Sequence, residues 1–331
     1  MLSKIFLFIC LHIIFLGSAA CGTEDGRSVF FADGLVGPRG LSMDHDGRIL
    51  VAEGGAGRIL IIDDSGRIEV LYDLIPYLKQ GPEGVHVGVS SVAYNDSVYY
   101  YVVGEARAKG FREVYRLTPG DMPIALTGQD PIGVDPANPI MNPYEILAFD
   151  DYLLVSDSGA NMIWKVYYSG NIEKYAEFDS INYHDSGVNA EVQAVPTGMT
   201  IGPDGALYVA LLTGYPFPNN LSRVVRLEDI NGDRDTRDLG EASVYASGFL
   251  VATDIAFNSQ GQLFVTEYSL NMKKLSDMGF KDSEMIPGRV VKWDKGLIEI
   301  VQENVISPTS ILIANLDIYI TEEFAGRIRN I

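Results

Sequence analysis

The chain has only two cysteines, four histidines and two tryptophans in 331 residues, and 25 basic residues stand against 44 acidic ones. Each shortage closes off a class of chemistry. Cys10 and Cys21 both sit at the N-terminal end. The body of the chain therefore has no disulfide and no thiolate metal site, and packing alone must hold it. A formal charge of −19 repels phosphate backbones and anionic lipid, which argues against nucleic acid as a partner. There is no nucleophile elbow: Asn258-Ser-Gln-Gly261 and Asp157-Ser-Gly159 are turn phrases.

What is present begins with a leader. Lys4 gives a positive n-region, Ile5 to Leu16 an apolar h-region, and Ser18-Ala19-Ala20 a small-residue cleavage site, so residues 1–20 read as a signal peptide. The run is too short for a comfortable membrane span. Leu16-Gly-Ser-Ala-Ala-Cys21 also resembles a bacterial lipobox, although Ser18 stands where a leucine-like residue is preferred. Plain secretion and lipidation at Cys21 both stay open. Either route exports the chain, as a secreted, periplasmic or lipid-anchored protein, with residues 21–27 as linker or tether and a membrane met only through the anchor.

From residue 28 onward one phrase returns. Its clearest copy is Pro38-Arg-Gly-Leu-Ser-Met-Asp-His-Asp-Gly-Arg-Ile-Leu-Val-Ala-Glu53: an apolar run, an Asp/Gly turn, and an alternating strand that ends in an acid. Degraded copies start near Ser90, Pro143, Pro196, Thr253 and Pro308. Each continues through a third strand such as Met162–Val166 or Arg223–Leu227. All but the last add a fourth, as in Arg67–Leu71 and Leu297–Val301. Four-stranded repeats of this kind specify an all-β propeller of six antiparallel blades, with residues 28–331 as a single domain expected to be a monomer. The sixth copy has three strands, and Ser28-Val-Phe-Phe-Ala32 is placed to supply its fourth and close the ring. Closure removes the exposed edges that would otherwise invite aggregation.

With Gly34-Leu-Val-Gly-Pro-Arg-Gly-Leu41 and Leu50-Val-Ala-Glu53, the pattern resembles the six-bladed propellers of the NHL, gluconolactonase and soluble quinoprotein glucose dehydrogenase group. Within that group it is similar to the ScyD/ScyE-like secreted propellers. The resemblance implies the fold over residue 28 to the end and leaves activity open. Quinoprotein dehydrogenases carry a His/Arg-rich phrase at the start of the fifth blade, where this chain has Ser247-Gly-Phe-Leu-Val-Ala-Thr-Asp254, so no PQQ site is supported, and no nucleotide site either. The gluconolactonase metal ligands meet Thr253 at the corresponding position.

Loop lengths sort by face. Blade-to-blade loops and second-to-third loops share one face of such a ring, and the long ones fall there: 76–89, 127–142, 180–195, 211–221 and 268–287. Long ordered loops on a rigid scaffold carry function or record tolerated drift. On this elaborated face second strands end in Glu53, Asp157, Glu267 and Glu322, and first strands begin with Arg39, Glu145, Asp254 and Ser310, with His86 just before the second copy. The strand-end acids can ring the channel mouth and hold Ca²⁺ or another divalent cation, or each can cap its own Gly-rich turn. Glu53, Asp254 and His184 are the candidate catalytic groups. Arg39, His86, Glu145, Tyr215, Phe217 and Tyr268 are the candidate ligand contacts, the loop aromatics serving either recognition or loop packing.

On the plain face, Asp229, Asn231, Asp233 and Asp235 alternate like a calcium loop. They miss the EF-hand template because Gly240 stands at its bidentate Glu and Arg234 at its turn glycine. The leading expectation is a propeller that binds a small molecule, glycan or protein on the elaborated face. The alternative is a metal-dependent lactonase- or esterase-like hydrolase with an acidic channel mouth.

Overall fold

The computed structural model describes residues 30–78, 86–128, 139–185, 187–280 and 283–331. The expected signal peptide (residues 1–20), Cys21, the expected 21–27 linker and Ser28 lie outside them, as do 79–85 and 129–138 of two long loops. One short strand, β1 (Phe30–Asp33), precedes five complete four-stranded sheets. Blade one is β2 (Pro38–Met43), β3 (Ile49–Glu53), β4 (Arg58–Ile62) and β5 (Ile68–Tyr72). Blade two is β6 (Val89–Asn95), β7 (Val98–Val103), β8 (Glu113–Leu117) and β9 (Ile124–Ala125). Blade three is β10 (Pro143–Ala148), β11 (Tyr152–Asp157), β12 (Met162–Tyr167) and β13 (Ile172–Glu177). A hairpin, β14 (Ile181–Asp185) with β15 (Val188–Val192), stands between blades three and four. Blade four is β16 (Pro196–Ile201), β17 (Leu207–Leu211), β18 (Ser222–Leu227) and β19 (Ala242–Phe249). Blade five is β20 (Ala252–Phe257), β21 (Leu263–Glu267), β22 (Gly288–Asp294) and β23 (Leu297–Val305), with a helix α1 (Met272–Asp277) inside its second-to-third loop.

Blade six is β24 (Pro308–Ala314), β25 (Asp317–Glu322) and β26 (Arg327–Asn330), completed by β1 at its outer edge. Asp33 pairs with Arg327 and Ala32 with Ile328, so the ring closes as the repeat pattern requires.

The burial pattern follows from the ring. Middle strands have a neighbouring blade on both faces and are buried throughout, as in β3 and β21. Outer strands face solvent, and Ile68 and Val70 of β5 are exposed. Between blades one and two, Leu50, Ala52 and Ile59 pack on Val92, Tyr101 and Val103. Each such buried aliphatic side chain contributes roughly 1.5–3 kcal/mol. The turns between first and second strands on the plain face stay tight because Gly47, Gly205 and Gly261 take positive φ of 77°, 83° and 76°.

Hydroxyls staple neighbouring blades. Ser42 Oγ donates to Val92 C=O, Ser90 Oγ to Pro143 C=O, and Ser158 Oγ to Pro196 C=O. Thr197 reaches Ala252 C=O, Thr253 reaches Pro308 C=O, and Thr309 reaches Pro38 C=O across the closure. Every first strand is also bulged near its start, between Pro38 and Leu41, Val89 and Ser91, Pro143 and Glu145, Pro196 and Met199, Ala252 and Asp254, and Pro308 and Ile311. A bulge re-aims a side chain at the rim of a sheet, and here the re-aimed residues include Glu145, Asp254 and Ser310.

Candidate functional site

The four strand-end acids do not gather round one point. All are fully buried, and each turns back into the loop that it closes. Glu53 accepts the Val36 N–H at 2.7 Å and pairs with Arg58. Glu267 repeats the arrangement with Leu250 N–H at 2.8 Å and Arg289. Glu322 takes Ile306 N–H at 3.0 Å and the guanidinium groups of Arg327 and Arg329. Asp157 accepts from Met141, Asn142, Gly159 and Ala160 N–H and from the Trp164 indole. These carboxylates tie the incoming blade-to-blade loop to the turn that follows their own strand. Among the described residues, the acidic groups close enough to share an ion are Asp44–His45–Asp46 and Asp229–Asp233–Glu241, so a strand-end metal ring is corrected to a set of separate clasps.

A different set meets on the axis. Arg39, Tyr144, Glu145, Asp254 and Ser310 come from four blades and enclose a void of about 10 Å³. Asp254 accepts the Ser310 hydroxyl at 2.7 Å, Ile311 N–H at 2.8 Å and Ile255 N–H at 2.7 Å. Glu145 accepts Met199 N–H. Burial pushes the Asp254 carboxyl up to about 7 against these hydrogen bonds. Burial, with the charge of Asp254 added, holds Glu145 well above the ordinary carboxylate range. The two carboxyls form one acidic unit that retains a proton near neutrality.

A polar layer caps this pair on the elaborated side. Arg39 donates to His86 C=O at 3.0 Å and pairs with buried Glu323 at 3.4 Å, and Glu323 accepts the Tyr268 hydroxyl at 3.2 Å. The Arg39 guanidinium lies 5.7 Å from the Tyr144 ring centroid. Above it opens a vestibule of about 200 Å³ bordered by Ser90, Glu105 and Asn142. Below the carboxyl pair a wider space of about 350 Å³ runs toward the plain face between Leu41, Met43, Ile146 and Ile311. Sequence reasoning missed Tyr144 and Glu323. Tyr144 follows Pro143 as Arg39 follows Pro38, and that equivalence was the available signal.

The third region lies at the rim. Three insertions from consecutive blades converge there on a cleft of about 630 Å³: the β14–β15 hairpin, the 212–221 loop and the segment leading into α1. The stem of the 212–221 loop zips along 193–195 through Leu212, Thr213 and Gly214 N–H at 2.9, 3.0 and 2.9 Å. The α1 segment is pinned beneath by Tyr268, Leu275, Phe280 and Ile286, and Asn271 caps α1 by accepting Lys274 N–H. Of the loop aromatics, Tyr268 and Phe280 are therefore packing residues, whereas Tyr215 is exposed and Phe217 lines the cleft with His184. Phe217 holds φ at 57°, a strained left-handed conformation for an aromatic residue.

The candidate catalytic groups are thus dispersed: Glu53 in a clasp, Asp254 on the axis, and His184 at the rim with Nδ1 3.0 Å from Asn189 Oδ1. On the plain face, Asp229 accepts Gly232 and Arg234 N–H, and Asn231 bonds to Asp233 and Asp238. Asp235 turns away to Arg237, and Glu241 takes its place beside Asp229 and Asp233.

No family model and no curated protein sequence matches this chain. Its architecture is nevertheless shared. The fold is that of the six-bladed propellers. Virginiamycin B lyase from Staphylococcus aureus aligns with TM-score 0.55 and 17% identity over 89% of this chain and 94% of that one. A gluconolactonase from Xanthomonas campestris gives 0.60 and 12% over 91% and 87%. The PQQ-bound aldose sugar dehydrogenase from Streptomyces coelicolor gives 0.56 and 12% over 91% and 95%. At such identities the likeness is one of fold.

Proposed function

We propose that this chain is an exported propeller that binds a small molecule, a glycan or a projecting protein segment in the rim cleft of its elaborated face. One observation carries the reading: insertions from three consecutive blades build a single cleft of about 630 Å³, a size that suits small ligands. Its walls are fixed by backbone hydrogen bonds and buried apolar anchors, which reduces the ordering cost of binding. Filling the cleft through Asn219→Trp is expected to abolish ligand-induced shifts in an NMR ligand screen while leaving the melting temperature intact. Shifts that persist in that variant, or that map to the vestibule over Arg39, would overturn it. Mass spectrometry of the mature N-terminus tests export and separates a lipidated Cys21 from a plain cut.

A second reading, a hydrolase acting on the axis, is favoured by the Glu145–Asp254 pair. A carboxyl near neutrality beside a second carboxyl suits general acid/base work, and the space of about 350 Å³ beneath it can admit a substrate. Lactone or ester turnover lost in Asp254→Asn with the fold retained would establish this reading. For a divalent ion the plain face offers two groups, Asp44–His45–Asp46 and Asp229–Asp233–Glu241, and calorimetric titration with Ca²⁺ and Mn²⁺ against Glu241→Gln tests the second.

A further inference from the structure

Resting on the rim-cleft reading, we infer that the ligand is an acidic saccharide, a sugar chain carrying uronic-acid-type carboxylates. The charge of the lining points first to an anion. The chain has 44 acidic residues to 25 basic ones, yet among the described residues the side chains lining this cleft include Lys273 and His184 and no carboxylate. Lys273 is half exposed and its partner is Asp277, itself half exposed, at 2.6 Å. A surface pair of this kind is weak and exchangeable, so a ligand carboxylate can take the place of Asp277.

The distribution of polarity points next to a sugar. One wall, the 212–221 loop, is mainly apolar through Pro216, Phe217, Pro218 and Leu221, with Asn219 among them. Tyr215 stands on the same loop with its ring 83° to that of Phe217 at 5.9 Å, and the Lys273 ammonium lies 5.7 Å from its centroid. The facing wall is polar, with His184 from the hairpin and Asn271 and Lys273 from the α1 segment. A ligand that satisfies both walls has an apolar C–H face and an opposite face rich in hydroxyls, and a pyranose ring has both. A flat aromatic anion would meet the apolar wall alone and make no use of the polar one.

The test is calorimetric titration of the mature chain with trigalacturonate and, in parallel, with neutral maltotriose. Trigalacturonate is expected to bind, with maltotriose at least about tenfold weaker and with affinity falling as salt rises. Lys273→Glu should weaken trigalacturonate by about tenfold, and Asp277→Asn should strengthen it about two- to threefold by releasing Lys273. Both positions are exposed, so the fold is retained. If maltotriose binds equally and Lys273→Glu changes nothing, while Asn219→Trp still blocks both, the anionic class falls and the cleft reading stands. If Asn219→Trp leaves sugar binding untouched, the cleft reading falls as well. Absence of trigalacturonate binding at millimolar concentration overturns the inference.

Discussion

Two sets of buried carboxylates lie close to one another in this ring and have opposite characters. Those that end second strands are saturated: Asp157 alone accepts from four backbone N–H groups and an indole. For those that begin first strands, burial outweighs the donors: Glu145 has Met199 N–H, and Asp254, which accepts from the Ser310 hydroxyl and from Ile311 and Ile255 N–H, shares its burial with a second carboxyl. The same chemical group is a structural clasp where it ties a loop to a turn and a proton-holding group where burial and a neighbouring carboxyl outweigh its donors.

The comparison predicts a hierarchy. Asp157→Ala leaves several buried donors unpaired and is expected to cost about 3–5 kcal/mol, read as a fall in the urea midpoint; a cost below about 1 kcal/mol would remove the clasp role. The axial acids should act through pH instead. Asp254 has a folded pKa of about 7 against an ordinary 3.8, so the native state holds an extra proton between those values. Its stability is fully present below pH 4 or so and declines as pH rises through about 7, by roughly 2–4 kcal/mol. Asp254→Asn should flatten that decline, and urea midpoints at pH 5 and pH 8 that fall equally in both proteins would contradict it.

Gly198 makes room for this acid: a Cβ there would lie 2.1 Å from Asp254 Oδ1 and 2.5 Å from its Cα. Gly198→Ala is therefore expected to cost about 1–3 kcal/mol and to alter the pH profile, whereas loss of stability with an unchanged profile would uncouple the two residues. Smallest of all, Tyr215→Ala at the exposed rim should shift stability by less than about 0.5 kcal/mol while weakening ligand binding. A large thermal shift would make Tyr215 a packing residue like Tyr268.

The blades were legible in the sequence because each copy repeats a period of two, a turn glycine and a strand-end acid, from Pro38–Glu53 to Pro308–Glu322. Position within the repeat also singled out Arg39, Glu145, Asp254 and Ser310, and the structure brings these together on the axis. Glu323 was hidden because it follows Glu322 where other copies have Gly54, Ser158 and Tyr268, residues of an ordinary turn. The alternation of Ile181–Asp185 and Val188–Val192 around Gly187 is a hairpin signal. Where that hairpin leans is not written in it, because its partners at the rim are 30 to 90 residues away and meet it only through the curvature of the ring.

The pairing of Asp33 with Arg327 has a consequence for how the molecule is made. Chains emerge from the ribosome at roughly 5–20 residues per second, so β1 waits about 15–60 s for the strand that will receive it. Throughout that interval Phe30 and Phe31 belong to an unpaired segment at the leading end of a growing stack of blades. The ring therefore locks in one late event, and translation speed sets how long the nascent protein must be kept from pairing with its neighbours.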